Sequence, residues 1–363
     1  MKKVLIYTYK HSNYGAVLQA YALRKYLAST YSADVKIVDF TTDDHLKEDR
    51  VIKTAGSLVE RIVFTFFNVL HFREIKRRNN NIESFKKKYL IQTKRFSSVE
   101  ELIANNPCAD IYITGSDQVF NPSSNYFPVY YLNFDKGPGL KVAYAPSFGI
   151  SNFTNDITEK IRALVEDFDY LSCRESVGAD YLSSIIGHDV PTVCDPTLLL
   201  SQDEWASIAT TPSFKNNYIL VYDINGGDNI IRLAKRISKY SRLPIVCITR
   251  KTHKHYNVDK IVRDAGPSEF VGWFKSASYV ITDSFHGTVF SWIFNKEFFY
   301  YLAYEATSSR AINLLQHLGC DDRIVKRELI GNFNPVVFKP YNKNNITLIK
   351  ASKHYIDIFM RNE

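Results

Sequence analysis

Two patterns of hydrophobic and polar positions alternate along the chain. Short apolar runs rich in β-branched and aromatic residues are separated by longer stretches with helical spacing, which is typical of βα units and a mostly parallel sheet. In the first half these runs predict strands at 4–9, 36–40, 110–115, 142–148, 170–175 and 189–194. A second series predicts strands at 218–224, 244–249, 279–284 and 298–303.

The two series are separated by a stretch that lacks this rhythm. Between residues 194 and 217 proline, serine and asparagine accumulate, as they do in linkers. A chain of 363 residues also exceeds the size at which one core keeps growing. We therefore predict an α/β protein with two Rossmann-like doubly wound domains that face one another across a cleft. The domains are predicted at 1–200 and 201–340, with a C-terminal helix at 341–363.

One segment of the predicted first domain, residues 57–88, departs from the βα pattern. It begins with the strongly apolar SLVERIVFTFFNVLHF, and the following REIKRRNNNIESFKKKY carries seven Lys or Arg against two Glu. A basic amphipathic insertion of this kind can lie on an anionic membrane surface. A helical hairpin that packs on the domain and exposes a solvated basic face is the equally weighted alternative.

Composition and charge narrow the class of protein. With 45% hydrophobic and 14% aromatic residues, the chain has ample material for folded cores. The net charge of +8 favours an anionic ligand or surface, such as nucleic acid, phospholipid headgroups or a small phosphorylated substrate. Five scattered cysteines without C-x-x-C spacing favour a reducing compartment. The N-terminal MKKVLIYTYKH predicts a strand rather than a signal peptide, so we expect a cytoplasmic protein.

The stretch ITDSFHGTVF, residues 281–290, passes from a predicted strand into a predicted helix. In one interpretation His286 is an acid, a base or an anion ligand at the helix N-terminus, and Gly287 lets the backbone approach a ligand closely. In the other, Asp283 or Ser284 merely caps the helix. The pattern alone weighs the two equally.

The turn after the first predicted strand contains Asn13, Tyr14 and Gly15. A dinucleotide fingerprint would need G-x-G-x-x-G here, and only Gly15 is present, which disfavours nicotinamide or flavin binding. The three residues lie at the predicted cleft edge, where they are candidates for ligand contact. A plain helix N-cap is the alternative.

Two further strand ends carry candidate chemistry. In ITGSDQVFNP, Ser116 and Asp117 follow a strand, and a carboxylate there is suited to accept a proton from a sugar hydroxyl. A turn-forming aspartate is the alternative. In SCRESVGADYL, Arg174 precedes a helix, where its guanidinium could bind a carboxylate or phosphate through two parallel bonds, or pair with Glu175.

Arg310 in SSRAINLL is predicted to lie in the first turn of a helix, where a cation is unfavourable for the helix dipole. This mismatch indicates a functional role. The pair Asp167 and Asp169 precedes a strand instead of ending one, and His253 and His255 lack further ligands at metal-binding spacing. No metal site is therefore predicted.

Several of these phrases together resemble the polysaccharide pyruvyl transferase family. They are SNYGAVLQAYAL, ITGSDQVFN, SCRES, VCDPTLLL, ITDSFHGTVFSWIFNKEFFY and SSRAINLL, which span nearly the whole chain. The resemblance implies a glycosyltransferase-B-like fold, with the acceptor on the side of the first domain and the donor on the side of the second. The insertion at 57–88 departs from the family pattern.

The resemblance also implies an activity. Phosphoenolpyruvate would donate a pyruvyl group to two hydroxyls of a sugar in a capsule, an exopolysaccharide or its lipid-linked precursor, which forms a cyclic ketal and releases phosphate. A lipid-linked acceptor would place the protein at the inner face of the plasma membrane. Neither a cofactor nor nucleic acid is expected. A glycosyltransferase that uses a nucleotide-activated sugar is the alternative, because fold does not fix function.

The family motifs assign roles to particular residues. His286 would act as the acid or hold the departing phosphate, and Asp117 would be the base for the acceptor hydroxyl. The implied phosphoenolpyruvate-binding residues are Arg174, Arg310, Ser284 and Gly287. The implied acceptor-binding residues are Asn13, Tyr14, Gly15 and Ser116.

Overall fold

A computed structural model describes residues 1–11, 13–43, 57–123, 127–134, 137–150, 152–335 and 346–361. The chain divides into two compact units. The first unit comprises residues 1–48, 86–200 and 346–363, and the second comprises residues 49–85 and 201–345. Two segments thus group differently from the domain bounds predicted above. Most of the 57–88 insertion belongs to the second unit, and the C-terminal helix belongs to the first.

Strands and helices alternate in both units. The strands are β1 (Lys3–Tyr7), β2 (Asp34–Phe40), β3 (Gln92–Phe96), β4 (Ile111–Thr114), β5 (Leu140–Ala143), β6 (Ile219–Tyr222), β7 (Ile245–Ile248), β8 (Lys260–Val262), β9 (Tyr279–Thr282), β10 (Glu297–Leu302) and β11 (Ile324–Lys326). The α-helices are α1 (Tyr14–Tyr31), α2 (Leu58–Leu70), α3 (Phe72–Tyr89), α4 (Val99–Ala104), α5 (Phe127–Tyr130), α6 (Asn155–Val165), α7 (Ser176–Ile186), α8 (Gln202–Ile208), α9 (Gly227–Ser241), α10 (Pro267–Ser276), α11 (Phe285–Ile293), α12 (Glu305–Leu318) and α13 (Thr347–Arg361). None of the helices in these described ranges is long and apolar enough to cross a membrane.

The first unit is built on a parallel five-stranded sheet in the order β3-β2-β1-β4-β5. Its central strands are continuous apolar runs because helices cover both faces of a parallel sheet; IYIT of β4, for example, is buried throughout. Strand order reverses between β1 and β4. In such sheets ligands bind outside the carboxyl ends of the strands at this switch point.

The second unit repeats this architecture with six parallel strands in the order β11-β10-β9-β6-β7-β8. Its switch point lies between β6 and β9, where Val221 is in register with Ile281. The buried runs ILVY and IVCI form its centre. We call the edge at which the carboxyl ends of the strands meet the carboxyl edge of each sheet.

Helix α13 completes the first unit, although it lies far along the chain. Ser352 accepts a hydrogen bond from the Cys194 backbone N–H at 2.7 Å, and the Tyr355 hydroxyl donates to the Ala143 carbonyl at 3.1 Å. The buried side chains of Ile356 and Phe359 add to the same interior. The core of this unit therefore depends on residues contributed by three separate segments.

Candidate active-site clusters

The first unit carries a cluster of charged and polar side chains at its carboxyl edge. We call it the Arg174 cluster; its members are Ser116, Asp117, Arg174, Glu175 and Asp195. Ser116 and Asp117 follow β4 at the switch point, and Arg174 and Glu175 directly precede α7. Asp195 caps the short 3-10 turn Pro196–Leu198. Three segments distant in sequence thus meet here.

The guanidinium of Arg174 is held by carboxylates. Its Nη1 donates to Asp195 Oδ2 at 2.9 Å, and its Nη2 lies 3.9 Å from Asp117 Oδ1. Its Nε lies 4.0 Å from Glu175 Oε2, and only 2% of the side chain is exposed. Burial alone lowers the pKa of Arg174, but the charges of Asp195, Asp117 and Glu175 outweigh it, and the pKa lies above the ordinary arginine value. Arg174 therefore stays charged inside the unit.

Asp195 is the central acceptor of the Arg174 cluster. Its Oδ1 accepts from the backbone N–H of Thr197 at 3.0 Å and from the Thr197 hydroxyl at 2.6 Å. Its Oδ2 accepts from Arg174 and from Ser116 Oγ, the latter at 3.2 Å. A buried ion pair needs such additional hydrogen bonds to offset the desolvation of its charges. Asp195 was not singled out from the sequence, where Asp-Pro-Thr indicates only a capped turn.

This geometry changes the roles of two predicted site residues. Ser116 is fully buried, and both Ser116 and Arg174 bond to Asp195. Both side chains thus hold Asp195, and the guanidinium of Arg174 also lies 3.9 Å from Asp117. Substrate contact by Arg174 and Ser116, as predicted from the sequence, would require this buried network to open.

Asp117 is the member of the Arg174 cluster with a strained backbone. Its φ of 76° and ψ of −173° lie in a region that glycine adopts almost alone. The Asp117 carbonyl accepts from Ser147 N and Val119 N, each at 2.8 Å, and its carboxylate accepts from Gln118 N at 2.9 Å. The side chain is 15% exposed. Strain of this kind concentrates at functional sites. The role of Asp117 as a base stays a prediction.

The turn after β1 fits the N-cap alternative. Asn13 caps α1, because its side chain accepts a hydrogen bond from Gly15 N at 3.0 Å, and Asn13 itself is exposed. Tyr14 and Gly15 are buried within the first helical turn. Of these three predicted acceptor-binding residues, Asn13 therefore has the accessible side chain, and the burial of the other two argues against direct contact with a ligand.

The second unit carries its own cluster at the carboxyl edge. We call it the Asp283 cluster; its members are Asp223, Asp283, Ser284, His286, Tyr300 and Arg310. Asp283 follows β9 and accepts backbone N–H groups from Ile224 at 2.8 Å, from Asn225 and from Gly226 at 2.7 Å. In dinucleotide-binding folds the N–H groups of the corresponding turn hold a pyrophosphate. Here the carboxylate of Asp283 occupies them.

Burial and hydrogen bonding shift the pKa of Asp283 in opposite directions. Burial raises its pKa above the ordinary value, and the nearby charge of Asp223 acts in the same direction. The hydrogen bonds from Ile224, Asn225 and Gly226 offset part of this increase. Through these three hydrogen bonds the carboxyl group of Asp283 fixes the turn before α9.

His286 lies in the first turn of α11, directly after the carboxyl end of β9. Ser284 is the N-cap, and its Oγ accepts from Gly287 N at 3.3 Å. His286 is 8% exposed, and its ring meets Phe285 edge-on with centroids 5.2 Å apart. The capped helix start and the placement of His286 at a helix N-terminus thus occur together. The chemical role of His286 stays a prediction.

Gly287 has a packing role in the structure. A Cβ at this position would lie 2.3 Å from Thr282 Oγ1, and Gly287 itself is buried. The glycine therefore lets α11 approach β9 closely. This packing accounts for the glycine without the predicted close approach of the backbone to a ligand.

Arg310 lies in the second turn of α12 rather than the first, because the helix begins at Glu305. It is close enough to Tyr300 on β10 to act on that hydroxyl. Burial raises the pKa of Tyr300, the charge of Asp283 raises it further, and the charge of Arg310 lowers it. Arg310 and Asp283 therefore belong to one neighbourhood centred on Tyr300, a residue that the apolar run FFYYLA gave no reason to select.

A family model for polysaccharide pyruvyl transferase matches residues 13–305. This span is well over half of the chain. The chain belongs to the polysaccharide pyruvyl transferase family. The predicted family is thus confirmed, and with it the prediction that the protein is a transferase. Among the predicted site residues, Arg310 lies beyond the matched span.

Several solved structures are similar to this chain. The UDP-GlcNAc 2-epimerase from Methanocaldococcus jannaschii aligns with a TM-score of 0.55 and 13% identity over 99% of this chain and 100% of that one. A putative UDP-N-acetylglucosamine 2-epimerase from Listeria monocytogenes aligns at 0.49 with 12% identity, over 98% and 96%. An E. coli heptosyltransferase with ADP aligns at 0.40 with 12% identity, over 98% and 99%. No curated protein matches this sequence.

The likeness to the Methanocaldococcus jannaschii enzyme concerns the fold alone. Together with the two parallel sheets, it confirms the predicted α/β class with two Rossmann-like, doubly wound units of the glycosyltransferase-B kind. A shared fold does not fix the activity.

One further group, which the sequence analysis did not select, extends the Asp283 cluster toward β7. Asp223 is buried, pairs with Lys251 Nζ at 2.9 Å and accepts hydrogen bonds from Gly227 N at 3.0 Å and from the hydroxyl of Tyr256. Burial raises the pKa of Tyr256, as does its bond to Asp223, so the phenol stays protonated and donates. The placement of Asp223 at the end of the run YILVYD was the available signal.

The strain at Asp117 predicts an unusual order of stabilities. Asp117→Gly relieves the backbone strain, whereas Asp117→Ala keeps it, and both remove the carboxylate. We expect the glycine variant to exceed the alanine variant by about 1–3 kcal/mol in free energy of unfolding. Denaturant titration of the two purified variants measures this difference. Equal stability, or a more stable alanine variant, would contradict the strained conformation.

Proposed function

We propose that the protein transfers a pyruvyl group from phosphoenolpyruvate to two hydroxyls of a sugar, which forms a cyclic ketal and releases phosphate. The observation that carries the proposal is the placement of His286 in the first turn of α11 at the carboxyl edge. Backbone N–H groups at a helix N-terminus attract phosphate, and a guanidinium binds carboxylate or phosphate. Phosphoenolpyruvate carries both anions, and Arg310 supplies a guanidinium to the same cluster.

The reaction can be written so that bonds and protons balance. A proton adds to the methylene carbon of phosphoenolpyruvate, and a sugar hydroxyl attacks the adjacent carbon, which bears the phosphate. The bond from that carbon to the phosphate oxygen then breaks, and phosphate leaves with the electron pair. A neighbouring hydroxyl forms the second bond to the same carbon. The two hydroxyls release two protons; one balances the proton added to the methylene carbon, and the other leaves with phosphate.

The proposed roles are those that the family motifs imply, with Arg174 reassigned. His286 either protonates the methylene carbon or holds the departing phosphate, and Arg310 binds an anionic group of the donor. Asp117 accepts the proton of the acceptor hydroxyl. Arg174 acts as a positioning residue, because its guanidinium lies 3.9 Å from Asp117 and is itself held by Asp195. Asn13 supplies an exposed amide for the acceptor.

One observation favours phosphoenolpyruvate over a nucleotide-activated sugar as the donor. The turn of the second unit that would hold a diphosphate in a dinucleotide-binding fold is occupied by the Asp283 carboxylate. A diphosphate at this turn would have to displace that carboxylate and would meet its negative charge. We propose a sugar in a surface polysaccharide or its lipid-linked precursor as the acceptor, with the protein at the inner face of the plasma membrane.

The test is direct. The protein is incubated with phosphoenolpyruvate and a panel of free and lipid-linked sugars that carry neighbouring hydroxyl pairs. Mass spectrometry should show the added mass of a pyruvate ketal, together with an equimolar release of phosphate. Parallel reactions contain nucleotide sugars in place of phosphoenolpyruvate. If a nucleotide sugar is consumed and phosphoenolpyruvate is not, the chain is a glycosyltransferase and the proposal is wrong.

A further inference from the structure

Helix α2 exposes an apolar face to solvent. A capping box of Ser57 and Glu60 starts the helix. Six apolar residues then recur at intervals of three and four, which places them on one face of the helix. These residues are 42–70% exposed: Val59, Ile62, Val63, Phe66, Val69 and Leu70. We call them the α2 apolar face.

The opposite side of α2 packs against the rest of the second unit, to which the helix itself belongs. Asn68 is 7% exposed, and its Oδ1 accepts from the Thr252 hydroxyl at 2.7 Å. The ring of Phe64 meets His253 edge-on with centroids 4.7 Å apart. A helix that covers a soluble core turns its apolar side inward, whereas α2 turns an amide inward and its larger apolar face outward. An exposed apolar face of this kind marks an interaction site.

Positively charged side chains come directly after α2 in the sequence. At the start of α3, Arg73, Lys76 and Arg77 are exposed next to Phe72, which is itself largely exposed. Arg77 also pairs with Asp264 at 2.9 Å, which attaches this part of α3 to the second unit. Of the eight Lys or Arg in residues 57–88, Arg78 and Lys86 are buried, and the other six are exposed, against three Glu in the same segment. The surface therefore combines apolar side chains with positive charge, which is complementary to anionic headgroups above acyl chains.

The length of α2 limits how it can meet a bilayer. Thirteen residues at the α-helical rise correspond to roughly 20 Å, shorter than the hydrocarbon core of roughly 30 Å. A helix of this length with one apolar face lies in the plane of the interface and inserts that face to the depth of the headgroup boundary. The contacts to Thr252 and His253 hold α2 with that face outward.

We propose that the α2 apolar face is a membrane-docking surface, which inserts into an anionic lipid leaflet while Arg73 and Lys76 contact its headgroups. The docking goes beyond the proposed transfer reaction, since it depends neither on the donor nor on the acceptor. A second copy of the chain is the competing occupant of the same face. The following experiment distinguishes the two.

The experiment is flotation of the full chain with vesicles of phosphatidylcholine alone or with phosphatidylglycerol added. The wild type should float with the anionic vesicles, and added salt should weaken this binding because it screens the headgroup charges. The double variant Ile62→Asp, Phe66→Asp should lose about tenfold or more in bound fraction, because charge replaces inserted apolar area. The charge reversals Arg73→Glu and Lys76→Glu should also weaken binding.

The matched control is Ile103→Asp, which places the same charge on an isoleucine that is 44% exposed on α4 of the first unit. It should float like the wild type. The α2 variants change outward-facing side chains, so their thermal unfolding should match that of the wild type. If the wild type fails to float, or if the double variant floats equally well, the proposal is overturned. It is also overturned if light scattering shows a lipid-free dimer that Ile62→Asp dissociates.

Discussion

The Asp195→Ala variant is expected to lose about 3–5 kcal/mol in free energy of unfolding, because it leaves the guanidinium of Arg174 charged and buried without its closest carboxylate. The pKa of Arg174 lies above its ordinary value, so loss of the proton offers no escape. The Thr197 N–H and the Ser116 hydroxyl lose an acceptor at the same time. Denaturant unfolding of the purified variant, followed by a signal from the first unit, measures the change.

Asp180→Ala is the control for this effect, since Asp180 is exposed on α7 of the same unit. Its free energy of unfolding should change by no more than about 0.5 kcal/mol. The double variant Arg174→Met, Asp195→Leu removes the buried cation together with its closest carboxylate and should recover part of the loss. The recovery is incomplete because Asp117 and Glu175 lose the same cation. A small effect of Asp195→Ala alone would mean that Arg174 finds water or another carboxylate when Asp195 is absent.

His286→Ala is expected to lower the rate of ketal formation by about 10²–10⁴-fold if His286 supplies the proton for the methylene carbon. His286→Gln separates the two proposed roles. A glutamine side chain can donate a hydrogen bond to phosphate but cannot transfer a proton, so an acid role predicts a loss in kcat similar to that of alanine. A phosphate-holding role predicts partial recovery of kcat with a raised KM for phosphoenolpyruvate.

His255→Ala provides the control, because His255 is an exposed histidine of the same unit outside the Asp283 cluster. It should react at the wild-type rate. Thermal unfolding of all three variants checks that the buried position 286 tolerates substitution. Wild-type rates for both His286 variants would remove His286 from the mechanism.

The sequence predicted the apolar strands of four or more residues and missed the strands that are polar or very short. The runs ILVY and IYIT are buried on both faces, so local hydrophobicity was sufficient. The edge strand β3 has the polar sequence QTKRF, and β8 and β11 have three residues each. The predicted strands at 170–175 and 189–194 form only single β-bridges, Val142 with Tyr170 and Cys173 with Thr192. Beside the second bridge, Pro191 has no N–H to extend the pairing.

For the candidate site, the local sequence pattern predicted where residues lie but not whether their side chains are accessible. Residues that follow a parallel strand lie at the carboxyl edge, so the locations of Asp117 and His286 could be predicted from local pattern. Whether a side chain there is accessible depends on partners distant in sequence. Arg174 is buried because Asp195, 21 positions later, folds back onto it, and Ser116, 79 positions before Asp195, joins them. A single sequence contains no signal for these pairings.

The contribution of α13 to the first unit has a consequence for biosynthesis. Ribosomes release the N-terminal segments of this unit first, yet the bonds of Ser352 and Tyr355 can form only after residues 347–361 have emerged. The second unit contains no part of that helix and can finish earlier. The unit that is translated first is thus completed last, and until then its unfinished surface is exposed to chaperones and proteases.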